Sequence, residues 1–186
     1  CRSHSLLDNG LTLSIEGFSI TLRSNSTALL TRLREYFRHL VTTGEVASSR
    51  ELLAIEAPVE NLGLEFNDWA REPGKTGRKD AYVDIANGRL VKKVRTGMIF
   101  LQSQHRMIAL GPCMDNDNQV INFINSQYMN FLQQNGWLIC HAAGLVRDGV
   151  GFGIAGLSGG GKSTLMLKML EDPHTAYLTN DRLFAK

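Results

Sequence analysis

GIAGLSGGGKSTL, residues 153–165, contains the pattern G-x-x-x-x-G-K-[ST], with Gly156, Gly161, Lys162 and Ser163 at its fixed positions. Glycines in such a pattern let the backbone approach a polyphosphate closely and direct successive N–H groups toward it. The lysine can then reach the β- and γ-phosphates, the serine hydroxyl can bind Mg²⁺, and Thr164 can add a contact near the α-phosphate. The predicted nucleotide-binding residues are therefore Gly156, Ser158, Gly159, Gly160, Gly161, Lys162, Ser163 and Thr164.

The residues on both sides of this glycine loop predict a strand before it and a helix after it. An apolar run, GFGIAG, precedes the loop, and Leu165, Leu167, Met169 and Leu170 follow it at a spacing compatible with a helix. We expect that helix over about residues 161–171, where the unpaired N–H groups of its first turn would add partial positive charge.

A second glycine pattern overlaps the first. Gly151, Gly153 and Gly156 form G-x-G-x-x-G, and Glu171 follows at the distance typical of a dinucleotide-binding fold. A helix opening near Gly153 would, however, place three consecutive glycines in its interior, at about 1 kcal/mol each. The phosphate-loop interpretation is therefore favoured, with the upstream glycines in a strand that approaches its neighbours closely.

Two further residues are candidates for the chemistry. Asp181 ends the predicted strand AYLTND and could hold Mg²⁺, although a turn residue at a strand end would look the same. Asn180 beside it cannot act as a base. His141 lies on the predicted strand that precedes the loop-bearing strand, so it could reach the phosphates or could equally be a core or rim residue.

The rest of the chain predicts a β-rich N-terminal region and a different C-terminal one. Alternating apolar residues over 11–23 predict two strands with a turn at Glu16-Gly17, and a helix capped within residues 24–26 follows. Residues 67–80 are predicted to be a loop, and AYVDIANGRLVKKV a hairpin turning at Asn87-Gly88, so this region should be mostly antiparallel.

The pattern changes near residue 112. A helix is predicted over residues 118–135 with Gly136 as its C-terminal cap, followed by two buried strands that turn at residues 147–149. The predicted division is residues 1–112, a β-rich region with one helix, and residues 113–186, the start of a P-loop core. The fold class is α/β, or α+β overall.

Composition excludes several classes of protein. The net charge is only +2 and no long basic run exists, which argues against nucleic acid as a partner. No stretch approaches the about 18 apolar residues of a membrane span. Three cysteines without a CxxC pair favour a reducing cytoplasm over a disulfide-bonded framework.

The segment CHAAGLVRDGVGFGIAGLSGGGKSTL, followed by LTND, resembles HPr kinase/phosphorylase and the related HPr-kinase-like proteins. That family has a His before small residues, a hairpin, the phosphate loop of a phosphoenolpyruvate carboxykinase-type core, and then an Asp-Asp pair. His141, residues 156–164 and Asp181 match these positions. The resemblance is strong over about residues 137–184 and loose over the β-rich half, which does not look like the regulatory domain of true HPr kinases.

The resemblance implies an ATP- and Mg²⁺-dependent kinase that phosphorylates a hydroxyl, on a protein Ser or Thr or on a small molecule. His141, Lys162 and Asp181 would be catalytic, and Ser163 and Asp181 would bind the metal ion. It also implies a homo-oligomer, and a chain that is the N-terminal part of a longer protein, because such cores continue past the second acidic strand.

One departure from the family opens alternatives. The family has an Asp, the expected general base, where this sequence has Asn180. His141 or Asp181 could assist instead, the base could come from another part of the protein, or the chain could be a regulatory module that binds nucleotide without much catalysis. A transport or motor-type P-loop ATPase is a third hypothesis, which the antiparallel leader and the His-containing strand oppose.

Overall fold

The computed structural model describes residues 5–44, 49–59, 61–70, 76–157 and 159–186. It is a mixed α+β structure, rich in sheet, and its chain forms two compact units, Cys1–Ser126 and Gln127–Lys186. The division falls inside a helix, whereas the boundary proposed from sequence, at residue 112, lies before that helix. Among the helices of the described residues, none combines the length and apolar character that a membrane crossing requires.

The N-terminal unit is built on an eight-stranded sheet in the order β1-β2-β3-β8-β7-β6-β5-β4. Its elements are β1 (Leu11–Ile15), β2 (Phe18–Ser24), α1 (Thr27–Tyr36), β3 (Arg50–Glu56), β4 (Asn67–Asp68), β5 (Asp80–Ile85), β6 (Gly88–Lys93), β7 (Ile99–Ser103) and β8 (Met107–Gly111). The expectation of mainly antiparallel pairing is confirmed, with the exception of β3, which lies parallel to both β2 and β8. Helix α1 lies between β2 and β3 in the chain, and such a crossover lets consecutive strands run parallel.

The first hairpin and first helix follow their sequence signals. Glu16 and Gly17 both have positive φ, 43° and 82°, as a two-residue turn between twisted strands requires. The Ser26 side chain caps α1 by accepting a hydrogen bond from the Leu29 N–H at 3.2 Å. Leu29 and Leu33 of α1 are fully buried and help form the core of this unit.

The turn of the β5–β6 hairpin lies one residue earlier than predicted. Ile85 pairs with Gly88, so the turn consists of Ala86 and Asn87 rather than Asn87 and Gly88. Gly88 is needed for a different reason: a Cβ there would lie 2.4 Å from the carbonyl oxygen of Gln102 on β7. The predicted loop over residues 67–80 also contains β4, and residues 71–75 of that loop lie outside the described part of the chain.

A long helix, α2 (Asp117–Gln134), contains the division between the two units. Its end is the predicted glycine cap: Gly136 has φ 81° and donates to the Gln133 carbonyl at 3.1 Å, while Trp137 donates to Leu132 at 3.0 Å. This pair of hydrogen bonds is the Schellman arrangement, which satisfies carbonyls that the helix itself leaves open.

The C-terminal unit has one central strand with partners on both sides. Its elements after α2 are β9 (Leu138–Arg147), β10 (Val150–Ala155), α3 (Lys162–Met169), β11 (Thr175–Thr179) and β12 (Arg182–Ala185). Strands β10, β11 and β12 all pair antiparallel with β9. The β9–β10 turn is Asp148-Gly149, with φ 50° and 78°, within the predicted residues.

The core of the C-terminal unit is small and differs from the predicted one. Ala143, Leu145 and Met166 are buried, with Ile154, Met169 and Leu170 packed against them. Two buried strands were expected, but all of β10 except Ile154 is exposed. Leu165 and Leu167 are 51% and 62% exposed, because the buried face of α3 follows Met166, Met169 and Leu170 at positions i, i+3 and i+4.

Candidate functional site

The glycine loop connects β10 to α3 and adopts backbone angles that other residues rarely take. Gly159 and Gly161 have φ of 78° and 80°, in the left-handed region where only glycine is unstrained. The Gly160 N–H donates to the Leu157 carbonyl at 3.0 Å, and a Cβ on Gly160 would lie 3.0 Å from that oxygen. The three glycines therefore have steric reasons for their positions. Ser158, predicted to bind nucleotide, lies outside the described residues.

The N-terminus of α3 has no side-chain cap in the described structure. Gly161 is the N-cap residue, and its carbonyl already accepts the first helical hydrogen bond, from the Leu165 N–H at 2.9 Å. The first-turn N–H groups of a helix have no partner within the helix, and they carry its partial positive charge. This end of α3 can therefore receive an anion.

The Lys162 side chain turns back over the loop. Its Nζ donates to the carbonyl oxygens of Gly156 and Leu157 at 3.0 and 3.3 Å. An ammonium group has three donors, so one remains for another acceptor. The only lysine of the glycine pattern thus holds its positive charge beside the uncapped helix end, as the pattern predicts.

The Ser163 hydroxyl has a partner that the sequence analysis did not assign. Ser163 Oγ donates to the Asn180 side-chain oxygen Oδ1 at 2.9 Å. Ser163 and Asp181 are the predicted metal ligands, whereas the residue that touches Ser163 is Asn180, the neighbour of Asp181. Only the direct succession of Asn180 and Asp181 after a predicted strand hinted at this contact.

His141 and Asp181 face each other. His141 Nδ1 and Asp181 Oδ1 are 3.5 Å apart, and their side chains are 72% and 64% exposed. Asp181 Oδ2 also lies 3.7 Å from the Arg182 guanidinium Nε, and the Ala142 N–H donates to the Asp181 backbone carbonyl at 3.1 Å. The histidine therefore lies beside a carboxylate that can orient its ring.

The positions of Asn180 and Asp181 are set by the pairing of two strands with β9. An irregularity interrupts β11 between Tyr177 and Thr179, after which Thr179 pairs with Gly144. Arg182 then pairs with His141, three residues further along each strand, so the same register continues. Asn180 and Asp181, which lie between these two pairs, are thereby held opposite Ala143 and Ala142. The Asn180 side chain contacts Ser163 of α3, and the Asp181 side chain lies beside His141.

A cross-strand glycine pair supports this part of the sheet. Gly144 of β9 and Gly153 of β10 pair with each other, and a Cβ on either would lie 2.9 Å from a methyl group of Leu183. The sequence analysis did not predict β12 and therefore missed this packing. The upstream glycines thus lie in strands, and α3 begins only at Lys162, which is not the helix start that the dinucleotide pattern requires.

The donor set suits a magnesium ion that arrives with phosphate. Within the described residues, no group of three or more His, Cys, Asp and Glu side chains could hold a metal ion. Magnesium is usually held by one or two protein oxygens together with substrate phosphates and water. The Ser163 hydroxyl and the Asp181 carboxylate are oxygen donors of that kind.

No protein-family model, curated protein or solved structure matches this chain. The resemblance to HPr-kinase-like proteins therefore stays a prediction from the motifs, and the functional argument depends on the geometry of the glycine loop and its neighbours.

Proposed function

We propose that this chain is an HPr-kinase-like phosphotransferase, which binds ATP with Mg²⁺ at its glycine loop and transfers the γ-phosphoryl group to a hydroxyl. One observation carries the proposal: the loop brings the Lys162 ammonium and the Ser163 hydroxyl to the uncapped N-terminus of α3. A cation, a hydroxyl and free N–H groups converging at a helix start form the recurrent polyphosphate site.

Each neighbouring residue then has a role. Lys162 would leave its loop carbonyls for the β- and γ-phosphates, while the unpaired N–H groups in the first turn of α3 would surround the phosphate chain. Ser163 and Asp181 would hold the metal ion, which supplies neutralisation of developing charge on the phosphate oxygens. Phosphoryl transfer needs mainly positioning and such charge stabilisation, so few protein groups suffice.

His141 is the proposed proton acceptor. The amide of Asn180 has no basic lone pair, and its oxygen already accepts a hydrogen bond from Ser163. The oxygen of the substrate hydroxyl would form a bond to the γ-phosphorus as the bond between that phosphorus and ADP breaks. The proton of the substrate hydroxyl would pass to the His141 imidazole. Asp181, 3.5 Å away, would stabilise the imidazolium that results.

The proposed acceptor is a protein Ser or Thr hydroxyl, and the proposed location is the cytoplasm. The resemblance to HPr-kinase-like proteins supports the protein hydroxyl as acceptor. The cytoplasmic location is supported by Cys113 and Cys140, both of which are free thiols, as is usual in a reducing compartment.

A second candidate function is nucleotide binding without transfer, in a regulatory module. The contact between Asn180 and Ser163 favours it, because the position where the family has its base is occupied by an amide that is already hydrogen-bonded.

The decisive experiment incubates the protein with ATP labelled on the γ-phosphate and a cell extract, with Lys162→Ala as the matched control. Label appearing on an acceptor with the wild-type protein alone supports the kinase. ATP binding without any transfer supports the regulatory module. A wild-type protein that binds no ATP overturns both.

A further inference from the structure

We infer that Asn180 is a positioning residue for Ser163: its amide oxygen accepts the hydrogen bond of the hydroxyl, which leaves the Ser163 Oγ lone pairs directed at the metal ion of the bound nucleotide. The inference rests on the proposed nucleotide site and adds a role for the residue at which this chain departs from the family. The contact that carries it is the 2.9 Å hydrogen bond from Ser163 Oγ to Asn180 Oδ1.

The chemistry of a hydroxyl explains why such a partner matters. A serine hydroxyl has one proton to donate and two lone pairs, and only the lone pairs can bind a cation. A freely rotating hydroxyl would spend part of its time with the proton toward the cation, where the two positive charges repel. An acceptor on the far side removes that orientation, and ligands of metal ions are generally held by partners of this kind.

The backbone around Asn180 is fixed well enough to serve this purpose. Thr179 and Arg182 on either side pair with β9 in one continuous register, and the Ala142 N–H holds the Asp181 carbonyl at 3.1 Å. Lys162 and Ser163 are likewise anchored, since they begin α3. The donor thus begins a helix, and the acceptor lies in the two-residue segment between β11 and β12, whose flanking residues both pair with β9.

The neutral side chain also affects the charge of the site. Asp181 would place one carboxylate near the polyphosphate of the proposed nucleotide. In the absence of a cation, the negative charge of the polyphosphate would repel this carboxylate. An aspartate in place of Asn180 would accept the same hydrogen bond but add a second negative charge. The amide separates the two tasks: Asn180 orients Ser163, and Asp181 remains available to the cation and to His141.

The test measures ATP affinity by calorimetry, once in EDTA and once across a Mg²⁺ titration, so that the metal-ion contribution is read apart from catalysis. Asn180→Leu is expected to weaken the apparent Mg²⁺ affinity of the ATP complex by about tenfold, as loss of a supporting partner does. Affinity in EDTA should stay within about twofold of wild type, because the phosphate contacts remain. Asn180→Asp keeps an acceptor oxygen and should retain most of the Mg²⁺ affinity.

A double-mutant cycle adds a second readout. Ser163→Ala should lower the apparent Mg²⁺ affinity as much as Asn180→Leu does. The double variant should lose no more affinity than either single variant, because both changes disrupt the same hydrogen-bonded pair. Lys162→Ala, in contrast, should weaken binding in EDTA as well.

Unchanged Mg²⁺ affinity in Asn180→Leu, or additive losses in the double variant, would overturn the inference while leaving nucleotide binding intact. If Asn180→Leu does not fold, Ser163→Ala is compared with wild type by itself. Equal Mg²⁺ affinity in these two proteins would then overturn the inference. A wild-type protein that binds no ATP in either condition refutes the proposed function itself, which is a distinguishable result.

Discussion

The Nζ of Lys162 lies 3.0 Å from the carbonyl oxygen of Gly156, the first residue of the loop that leads into its own helix. A second hydrogen bond, to the Leu157 carbonyl at 3.3 Å, keeps the ammonium over the loop. The positive charge is therefore held over the glycine loop.

Lys162→Ala is predicted to abolish measurable Mg-ATP binding in calorimetry, because it removes the only loop cation. Lys168→Ala is the matched control: it lies on the same helix, but its ammonium pairs with Glu171 at the far end. It should leave ATP affinity unchanged within about twofold, as expected for a surface charge distant from the ligand. Equal ATP affinity in Lys162→Ala and wild type would remove the nucleotide hypothesis.

Asn180→Asp is predicted not to reduce phosphoryl transfer and to raise it if a base is limiting. The carboxylate can still accept the hydrogen bond of the Ser163 hydroxyl, and it can also take the proton of the incoming hydroxyl. The measurement is the initial rate of label transfer from ATP at saturating Mg²⁺. A large fall in that rate would show that the neutral amide has a role of its own.

His141→Asn is predicted to lower phosphoryl transfer by about 10²-fold or more, the usual contribution of a positioned acid–base group. Its stability to urea should change by less than about 0.5 kcal/mol, because both partners of the His141–Asp181 pair are mainly exposed. The control is His174→Asn, a second histidine of the C-terminal unit, which should leave transfer unaffected. A stability loss with an unchanged rate would instead assign His141 a structural role.

Gly153→Ala is predicted to destabilise the C-terminal unit by about 1–2 kcal/mol, since the new methyl group would lie 2.9 Å from Leu183 and must displace it. Gly151→Ala is the matched control, because it lies two residues earlier on the same strand and its Cβ would meet nothing within 4 Å. Urea unfolding of both variants makes the comparison. Equal stability of the two would contradict the packing of Leu183 against the glycine pair.

Burial raises the pKa of the Cys113 thiol to about 12, from an ordinary value of 9.0, with the Glu56 carboxylate adding to the shift. The folded state thus keeps its proton between pH 9 and 12 while the unfolded state loses it, so stability contributed by this group falls as pH rises through that window. At pH 10 the loss should be about 1.4 kcal/mol relative to neutral pH, measured as the difference between wild type and Cys113→Ala.

A labelling experiment checks the same thiol independently. In native protein at pH 8, iodoacetamide should leave Cys113 unmodified, because the protonated, buried thiol is a poor nucleophile. Cys140, which is half-buried, supplies the internal comparison, and urea should make both thiols react. Rapid native-state modification of Cys113 would contradict its environment.

Local signals in the sequence account for the elements that form within a few residues of each other. Glu16-Gly17 and Asp148-Gly149 are turns where the sequence predicts them, and Ser26 and Gly136 are the helix caps, because each of these structures depends on adjacent residues. The loop glycines and the start of α3 were likewise predictable, since steric limits on φ act on one residue at a time.

Relationships between distant segments were not predictable in the same way. Alternation of apolar residues predicts strands but not which strand pairs with which, so the parallel neighbours of β3 and the existence of β12 became visible only in the structure. Gly88 carried a turn signal, yet its role is close approach to β7. The buried face of α3, along Met166, Met169 and Leu170, was not predictable either, because the apolar residues after the loop do not by themselves indicate which of them face the sheet.

By itself, the sequence determined the chemical groups at the candidate site: a glycine-lined loop, a lysine, a hydroxyl, a histidine and one carboxylate. Tertiary structure alone decided their partners, bringing Ser163 to Asn180 and His141 to Asp181. The physical reason is that backbone conformation responds to neighbouring residues, whereas the meeting of side chains 17 positions apart, as in the hydrogen bond from Ser163 to Asn180, depends on strand register along β9.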